Sequence, residues 1–131
     1  MLDVLPPVNV KILTLAISNF GRQVGDGECA ELPATAMRAS GRSLPSPVWR
    51  ISFGKEIPWE EGRPGDVITF GDEREGHGHI AVLFRWSKTR ANAAILHQND
   101  GGVKKVVLGS LGATESLLAP LGQPFTFLLR P

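Results

Sequence analysis

Residues 24–39 read VGDGECAELPATAMRA and place Cys29, the only cysteine of the chain, between a glycine-rich turn and a helical segment. Alanine, leucine, methionine, glutamate and arginine dominate after it, which predicts a helix over Cys29–Ala39 that Gly41 ends. Pro33 removes a backbone donor, so we expect a local distortion of this helix. The sequence therefore predicts a cysteine at the beginning of a helix.

This position predicts a reactive thiol. The first turn of a helix has unpaired N–H groups and a partial positive charge, which favour the thiolate and lower the cysteine pKa. The same N–H groups can hold the oxyanion of a tetrahedral intermediate. Gly25 and Gly27 permit a tight turn and leave room at the sulfur. Glu28 opposes thiolate formation if it points at the sulfur, and an inert, buried cysteine is the structural alternative.

The flanking segments predict an α+β fold. Pro6 and Pro7 predict the start of a first helix, whose apolar stripe is expected at Val10, Leu13, Ala16, Ile17 and Phe20. Short β-type runs separated by turn residues follow the second helix. The predicted strands are Val48–Phe53, Asp66–Phe70, His79–Trp86, Ala93–Gln98, Lys104–Leu108 and Phe125–Leu129. Helices followed by strands indicate one domain over residues 1–131, with the helices packed on a mainly antiparallel sheet of about six strands.

Composition excludes several classes of function. The formal net charge is +1, which is no footprint for nucleic acid or an anionic membrane. A single cysteine excludes an internal disulfide framework and a cysteine-rich zinc site. The apolar stretch of residues 8–20 is too short and too polar to span a bilayer, and no signal peptide is recognised. We expect a cytoplasmic protein or one exported without a conventional signal; the oligomeric state is not predicted.

Two histidines are candidates for acid–base chemistry. His79 stands at the entrance of an apolar strand, and His97 stands near the end of the next one. Pairing of these strands as a hairpin would set the two imidazoles side by side, facing the helix that carries Cys29. A cysteine, a histidine base and a third polar group that orients the imidazole form the arrangement of a cysteine nucleophile. A polar residue at a strand edge is the alternative for His97, and we interpret His77 as a solvated loop histidine.

A metal site is a second hypothesis. His77, His79 and His97 could supply three imidazoles, with Asp100 or Asp66 nearby, and three protein ligands suffice for catalytic zinc. This hypothesis leaves the position of Cys29 unexplained, so we prefer the cysteine interpretation and expect no metal or cofactor.

Four motifs occur in an order that resembles a known fold: G-x-G-x-C opening a helix, PGDVITF (64–70), GHIAV (78–82) and LHQN (96–99). They resemble the papain-like domains of the NlpC/P60 and CHAP families. The resemblance implies that Cys29 is the nucleophile and His79 the general base. His97 takes the place of the orienting glutamate of CHAP domains, and Asn99 matches their asparagine.

Three weaker assignments complete the predicted site. Gln23 lies six residues before the cysteine, where papain-like peptidases have an oxyanion donor; a solvated loop glutamine is the alternative. Gly27 leaves room for substrate, and Trp59 could wall a cleft, although a core position is more usual for tryptophan.

The resemblance implies a thiol hydrolase, an amidase or endopeptidase. Its substrates would be cell-wall peptides or the amide that joins them to sugar. A binding module that keeps the fold without turnover is the alternative. Deamidation and acyl transfer would need the same residues.

Overall fold

The computed structural model describes residues 4–44, 53–72, 77–99 and 102–131. Within these ranges the chain forms three α-helices and six strands, in the order α1 (Pro7–Ser18), α2 (Glu31–Ala39), β1 (Lys55–Ile57), β2 (Val67–Asp72), β3 (His77–Arg85), β4 (Ala94–His97), β5 (Val107–Ser110), α3 (Leu111–Leu118) and β6 (Phe125–Arg130). None of these helices is long and apolar enough to cross a bilayer.

The six strands form one antiparallel sheet in the order β1-β6-β2-β3-β4-β5. The predicted α+β class is confirmed, and β2, β3, β4 and β6 lie within about two residues of their predicted bounds. Strand β5 begins three residues later than predicted because Val107 is the residue that pairs with His97, the last residue of β4, and the register then runs on to Ser110. Most of the predicted strand Val48–Phe53 lies outside the described residues, and β1 was not predicted.

The buried face of α1 differs from the predicted stripe. Val10 and Ile17 are 46% and 53% exposed, whereas Asn9, Ile12 and Ala16 are buried. Asn9 turns inward because its Nδ2 donates to the Pro64 carbonyl at 2.9 Å and to Asp66 Oδ1 at 2.8 Å. The hydrogen-bonded Asn9 side chain thus decides which face of α1 is buried. The spacing of apolar residues does not reveal such a buried polar residue.

Asp66, the partner of Asn9, fixes the turn before β2. Asp66 is fully buried, and its Oδ2 accepts the backbone N–H of Arg63 at 2.8 Å, as expected for a turn-capping aspartate. Arg130 of β6 donates from Nε to Oδ1 of the same carboxylate at 2.6 Å. Asp66 therefore ties α1, the turn and the last strand together.

The sheet separates two apolar layers. Ile80 and Val82 of β3 pack with residues of α1 and α2 in the first layer, and Cys29 packs against the same layer. Ala81 and Leu83 belong to the second layer, which also contains Leu111 of α3. Alternation along β3 thus assigns each side chain to one layer, and the helix that follows Cys29 lies on the first.

Candidate active site

Cys29 lies in the turn that leads into α2, two residues before the helix begins at Glu31. The predicted helix is confirmed with a start two residues later. Pro33 is the third residue of α2, within the first turn, where backbone N–H groups have no intrahelical partner. The helix therefore continues through Pro33 to Ala39, and the defect expected there has no consequence.

Gln98 holds the loop before Cys29. Its Oε1 accepts the Val24 N–H at 3.0 Å, and its Nε2 donates to the carbonyls of Val24 at 2.9 Å and Glu28 at 2.8 Å. The side chain is fully buried. Sequence analysis missed this residue, although a polar residue directly after an apolar strand and next to His97 was an available signal.

The two candidate imidazoles are in direct contact. His79 Nε2 and His97 Nδ1 are hydrogen-bonded at 2.7 Å, and the rings are nearly perpendicular, at 73°. Their exposed fractions are 6% and 1%. The hairpin of β3 and β4 therefore brings the predicted pair side by side.

Strand alternation groups the two imidazoles with residues of the second layer. The alternation that assigns Ala81 and Leu83 to the second layer also assigns His79 to it, and the His79 ring contacts Phe70 of that layer. His97 shares its face of β4 with Ile95. A sequence gives the period of a strand but not which of its faces meets a given helix.

Gly109 of β5 makes room for His97. A Cβ atom at Gly109 would lie 2.9 Å from His97 Nε2, closer than such contacts occur. Any side chain at this position would displace the His97 ring, which is already enclosed. Sequence analysis missed this glycine because its value appears only once the register of β4 and β5 is known.

The Cys29 thiol meets the sheet at the backbone beside His79. The N–H of Ile80, the next residue in β3, lies near enough to the thiol to lower its pKa, as do the N–H groups of Ala30 and of Cys29 itself. The thiol thus lies against the strand that carries the imidazole, at the residue next to His79.

The pKa of the Cys29 thiol is raised, contrary to the expected depression. Burial is the largest cause and the negative charge of Glu28 adds to it, so the pKa rises to about 11 although the N–H groups of Ile80, Ala30 and Cys29 lower it. At neutral pH the resting thiol is therefore protonated. The favourable first turn predicted from sequence is present but is outweighed by desolvation.

Charged and polar groups form a rim beside the thiol. The Glu28 carboxylate accepts from Asn99 Nδ2 at 3.2 Å and lies 3.5 Å from Lys104 Nζ. Asn99, expected to help orient His79, is instead directed to Glu28, and its backbone has a left-handed φ of 62°. Of the predicted orienting groups, His97 contacts His79.

The structure does not bring the weaker candidates to the thiol in the expected way. Gln23 is exposed and donates to the Gly25 carbonyl of its own loop at 3.0 Å. Trp59 packs in the second layer, on the sheet face opposite α2. Gly27 is buried with a φ of 87° against the Lys104 side chain, so it serves the turn. For His77 the structure describes the backbone, in β3.

Two of the three imidazoles of the metal hypothesis are hydrogen-bonded to each other. A nitrogen of His79 and a nitrogen of His97 are bonded to each other, and Asp66 is saturated by Arg130, Asn9 and the Arg63 N–H. Among the described residues no group of three potential ligands comes together. Asp100 lies outside the described residues.

The described residues form an α+β domain with a cysteine just before a helix and two histidines on an antiparallel sheet. No protein-family model and no curated protein matches the sequence. Among solved structures, the P60 domain of an antigen from M. avium subspecies paratuberculosis is similar over 94% of this chain and 93% of that chain, with 17% identity and a TM-score of 0.61.

Two further structures resemble the chain at a comparable level. Ly7917, solved with the hydrolysing product of MDP, is 18% identical with a TM-score of 0.57; the match covers 94% of this chain and 63% of that one. RipD from Mycobacterium tuberculosis, described as a non-catalytic NlpC/p60 domain protein adapted to peptidoglycan binding, is 15% identical with a TM-score of 0.57, over 96% and 98% of the chains. The chain therefore has the fold of NlpC/P60 domains.

Proposed function

We propose that the chain is a cysteine-nucleophile hydrolase that cleaves an amide or peptide bond. One observation carries the proposal: a hydrogen-bonded pair of buried imidazoles, His79 and His97, includes the residue next to Ile80, whose N–H lies near the Cys29 thiol and lowers its pKa. A nucleophile, a base and a group that orients the base are the minimum set for acyl transfer through a thiol.

The bond between the imidazoles supports one assignment of their roles. If His79 Nε2 carries its proton toward His97 Nδ1, the other nitrogen of His79, Nδ1, accepts the thiol proton. The sulfur then attacks the substrate carbonyl as His79 becomes positively charged, and His97 holds the charged ring in place. His79 returns the proton to the leaving amine, and water hydrolyses the thioester.

The raised thiol pKa defines what the base must do. Because Cys29 is protonated at neutral pH, attack requires proton transfer to His79 during the reaction and not a preformed thiolate. The N–H groups of Cys29 and Ala30, which lower the pKa of the thiol, are the donors we assign to the developing oxyanion.

The substrate class is taken from the similar structures. Ly7917 was solved with a product of MDP, and RipD is described as adapted to peptidoglycan binding. We propose peptidoglycan peptides, or the amide that joins them to sugar, as substrates of this chain.

A non-catalytic binding module is the competing function. The raised pKa of Cys29 favours it, because such a thiol is a poor nucleophile unless its proton is removed. RipD gives the precedent of an NlpC/P60 domain described as non-catalytic.

The test is incubation of the protein with purified peptidoglycan and its soluble fragments, followed by mass spectrometry of the released products. We expect Cys29→Ala to abolish release and His79→Ala to slow it by about 100-fold or more, whereas Gln23→Ala, at an exposed position, leaves the rate unchanged. Binding of peptidoglycan without release, equal in the wild type and in Cys29→Ala, would establish the binding module instead.

A further inference from the structure

Two consecutive residues, His97 at the end of β4 and Gln98 directly after it, contact the two parts of the candidate site, the imidazole and the loop before Cys29. His97 is bonded to His79 on one side of the strand, and Gln98, the next residue, is bonded to the loop before Cys29. Consecutive residues of a strand point in opposite directions. One dipeptide thus contacts the imidazole on one side and the thiol-bearing loop on the other.

We propose that Gln98 is a positioning residue that fixes Cys29 relative to the imidazole pair. The inference rests on the proposed function, since it concerns the geometry of the same reaction. It assigns a role to a residue whose side-chain hydrogen bonds reach the loop and which acts through the loop.

The hydrogen bonds of Gln98 close the loop at both ends. The Gln98 amide binds the N–H and carbonyl of Val24 and the carbonyl of Glu28, which precedes Cys29. The Glu28 carbonyl also accepts the Glu31 N–H at 3.1 Å. The amide is thus linked to the first turn of α2, and its two donors and its oxygen are all used.

The loop needs such a constraint. Gly25 and Gly27 both adopt left-handed backbone angles, with φ of 59° and 87°, and glycine gains the most freedom when a chain loosens. Because Gln98 is fully buried, water cannot replace its bonds at low cost. Without the amide, the position of Cys29 would depend on a glycine-rich turn.

The experiment compares Gln98→Met with Asn9→Leu. Each substitution replaces a fully buried amide with an apolar side chain of matching length. Asn9 differs from Gln98 in that its hydrogen bonds anchor α1 to Pro64 and Asp66 and not to the loop. For each variant, the iodoacetamide reaction of Cys29 is followed against pH with and without His79→Ala. In the wild type we expect His79→Ala to change the profile. We call this effect of His79→Ala on the Cys29 reaction the coupling of the two residues. The coupling should vanish in Gln98→Met and persist in Asn9→Leu.

Turnover gives a second measurement. On a peptidoglycan fragment that the wild type cleaves, Gln98→Met should lower kcat by about 10- to 100-fold with little change in KM, because misplaced reacting groups slow chemistry more than binding. Asn9→Leu should keep kcat. Coupling that survives in Gln98→Met, or is lost equally in both variants, would overturn the proposal.

Two results separate the proposal from the proposed function. Coupling between Cys29 and His79 without any hydrolysis would contradict the function alone, whereas no coupling in the wild type would contradict both. If Gln98→Met does not fold, hydrogen exchange in the wild type decides. If the Val24 amide is as protected from exchange as the amides of β3, the result supports the positioning role of Gln98. If the Val24 amide exchanges as fast as the Asp26 amide, the result overturns that role.

Discussion

At the scale of single residues, the Cys29 thiol is governed by desolvation and by the charge next to it in sequence. Burial contributes most to the rise of its pKa to about 11, and Glu28 contributes in the same direction. Glu28 is itself held by Asn99 and Lys104 at a position 56% exposed, so its charge is partly screened by solvent.

Replacing Glu28 should therefore make the thiol more acidic. In Glu28→Gln we expect the pH midpoint of Cys29 alkylation to fall below that of the wild type and the rate at pH 8 to rise several-fold, because the thiolate is the reacting form. The measurement is the iodoacetamide rate from pH 6 to 12, a range that includes the wild-type pKa of about 11. Glu31→Gln is the control, since the Glu31 carboxylate is engaged by Arg38. An unchanged midpoint in Glu28→Gln would contradict this account.

The sequence contained the chemistry-bearing residues but not their supports. Cys29, His79 and His97 could be found because their residue types and positions in elements are informative on their own. Gln98 and Gly109 could not, because their roles exist only through contacts with the loop of residues 24–28 and with the His97 ring. The predicted direction of the Cys29 pKa shift was wrong for a related reason, because the extent of burial is a property of the packed molecule.

At the scale of elements, the PGD turn and α1 are in close contact at Gly65. Its φ is 90°, and a Cβ atom there would lie 2.6 Å from the Asn9 carbonyl oxygen. The turn was predictable from its composition, whereas the inward face of α1 was not, because a buried asparagine decides it.

Gly65→Ala should lower the free energy of unfolding by at least ~2 kcal/mol, from backbone strain together with the clash on α1. Gly122→Ala is the matched control, since Gly122 has a φ of 78° and nothing within 4 Å of its Cβ position. Urea unfolding of both variants separates strain from contact. Equal losses would mean that the packing of α1 on the turn adds nothing to the strain.

At the scale of the whole molecule, one carboxylate links segments far apart in sequence. Asp66 is fully buried and binds Asn9 near the start of the described chain and Arg130 near its end. The side-chain hydrogen bond to Asp66 also raises the pKa of Arg130 above its usual value, so the guanidinium stays charged at every accessible pH. The α+β class was predictable from the order of the elements, but this closure between the two ends of the chain was not.

Removing the cation should destabilise the fold. Because Arg130→Met leaves a buried carboxylate without its charge partner, we expect a loss of about 2–3 kcal/mol, somewhat below the value for a fully buried pair since Arg130 is 27% exposed. Arg38→Met, which breaks the more exposed pair with Glu31, should cost about 0.5 kcal/mol or less. Chemical denaturation measures both, and equal losses would contradict a stabilising role for the Asp66 pair.

The layer opposite the thiol has an optical consequence. The chain has no tyrosine and three tryptophans, two of which, Trp59 and Trp86, stack with ring centroids 6.2 Å apart. Their indole N–H groups are bonded to main-chain carbonyls, of Ser87 and Trp59. Emission and near-ultraviolet circular dichroism from this pair report on the face of the sheet remote from Cys29. The molecule thus carries its own spectroscopic monitor of folding, at a distance from the group that a thiol reagent modifies.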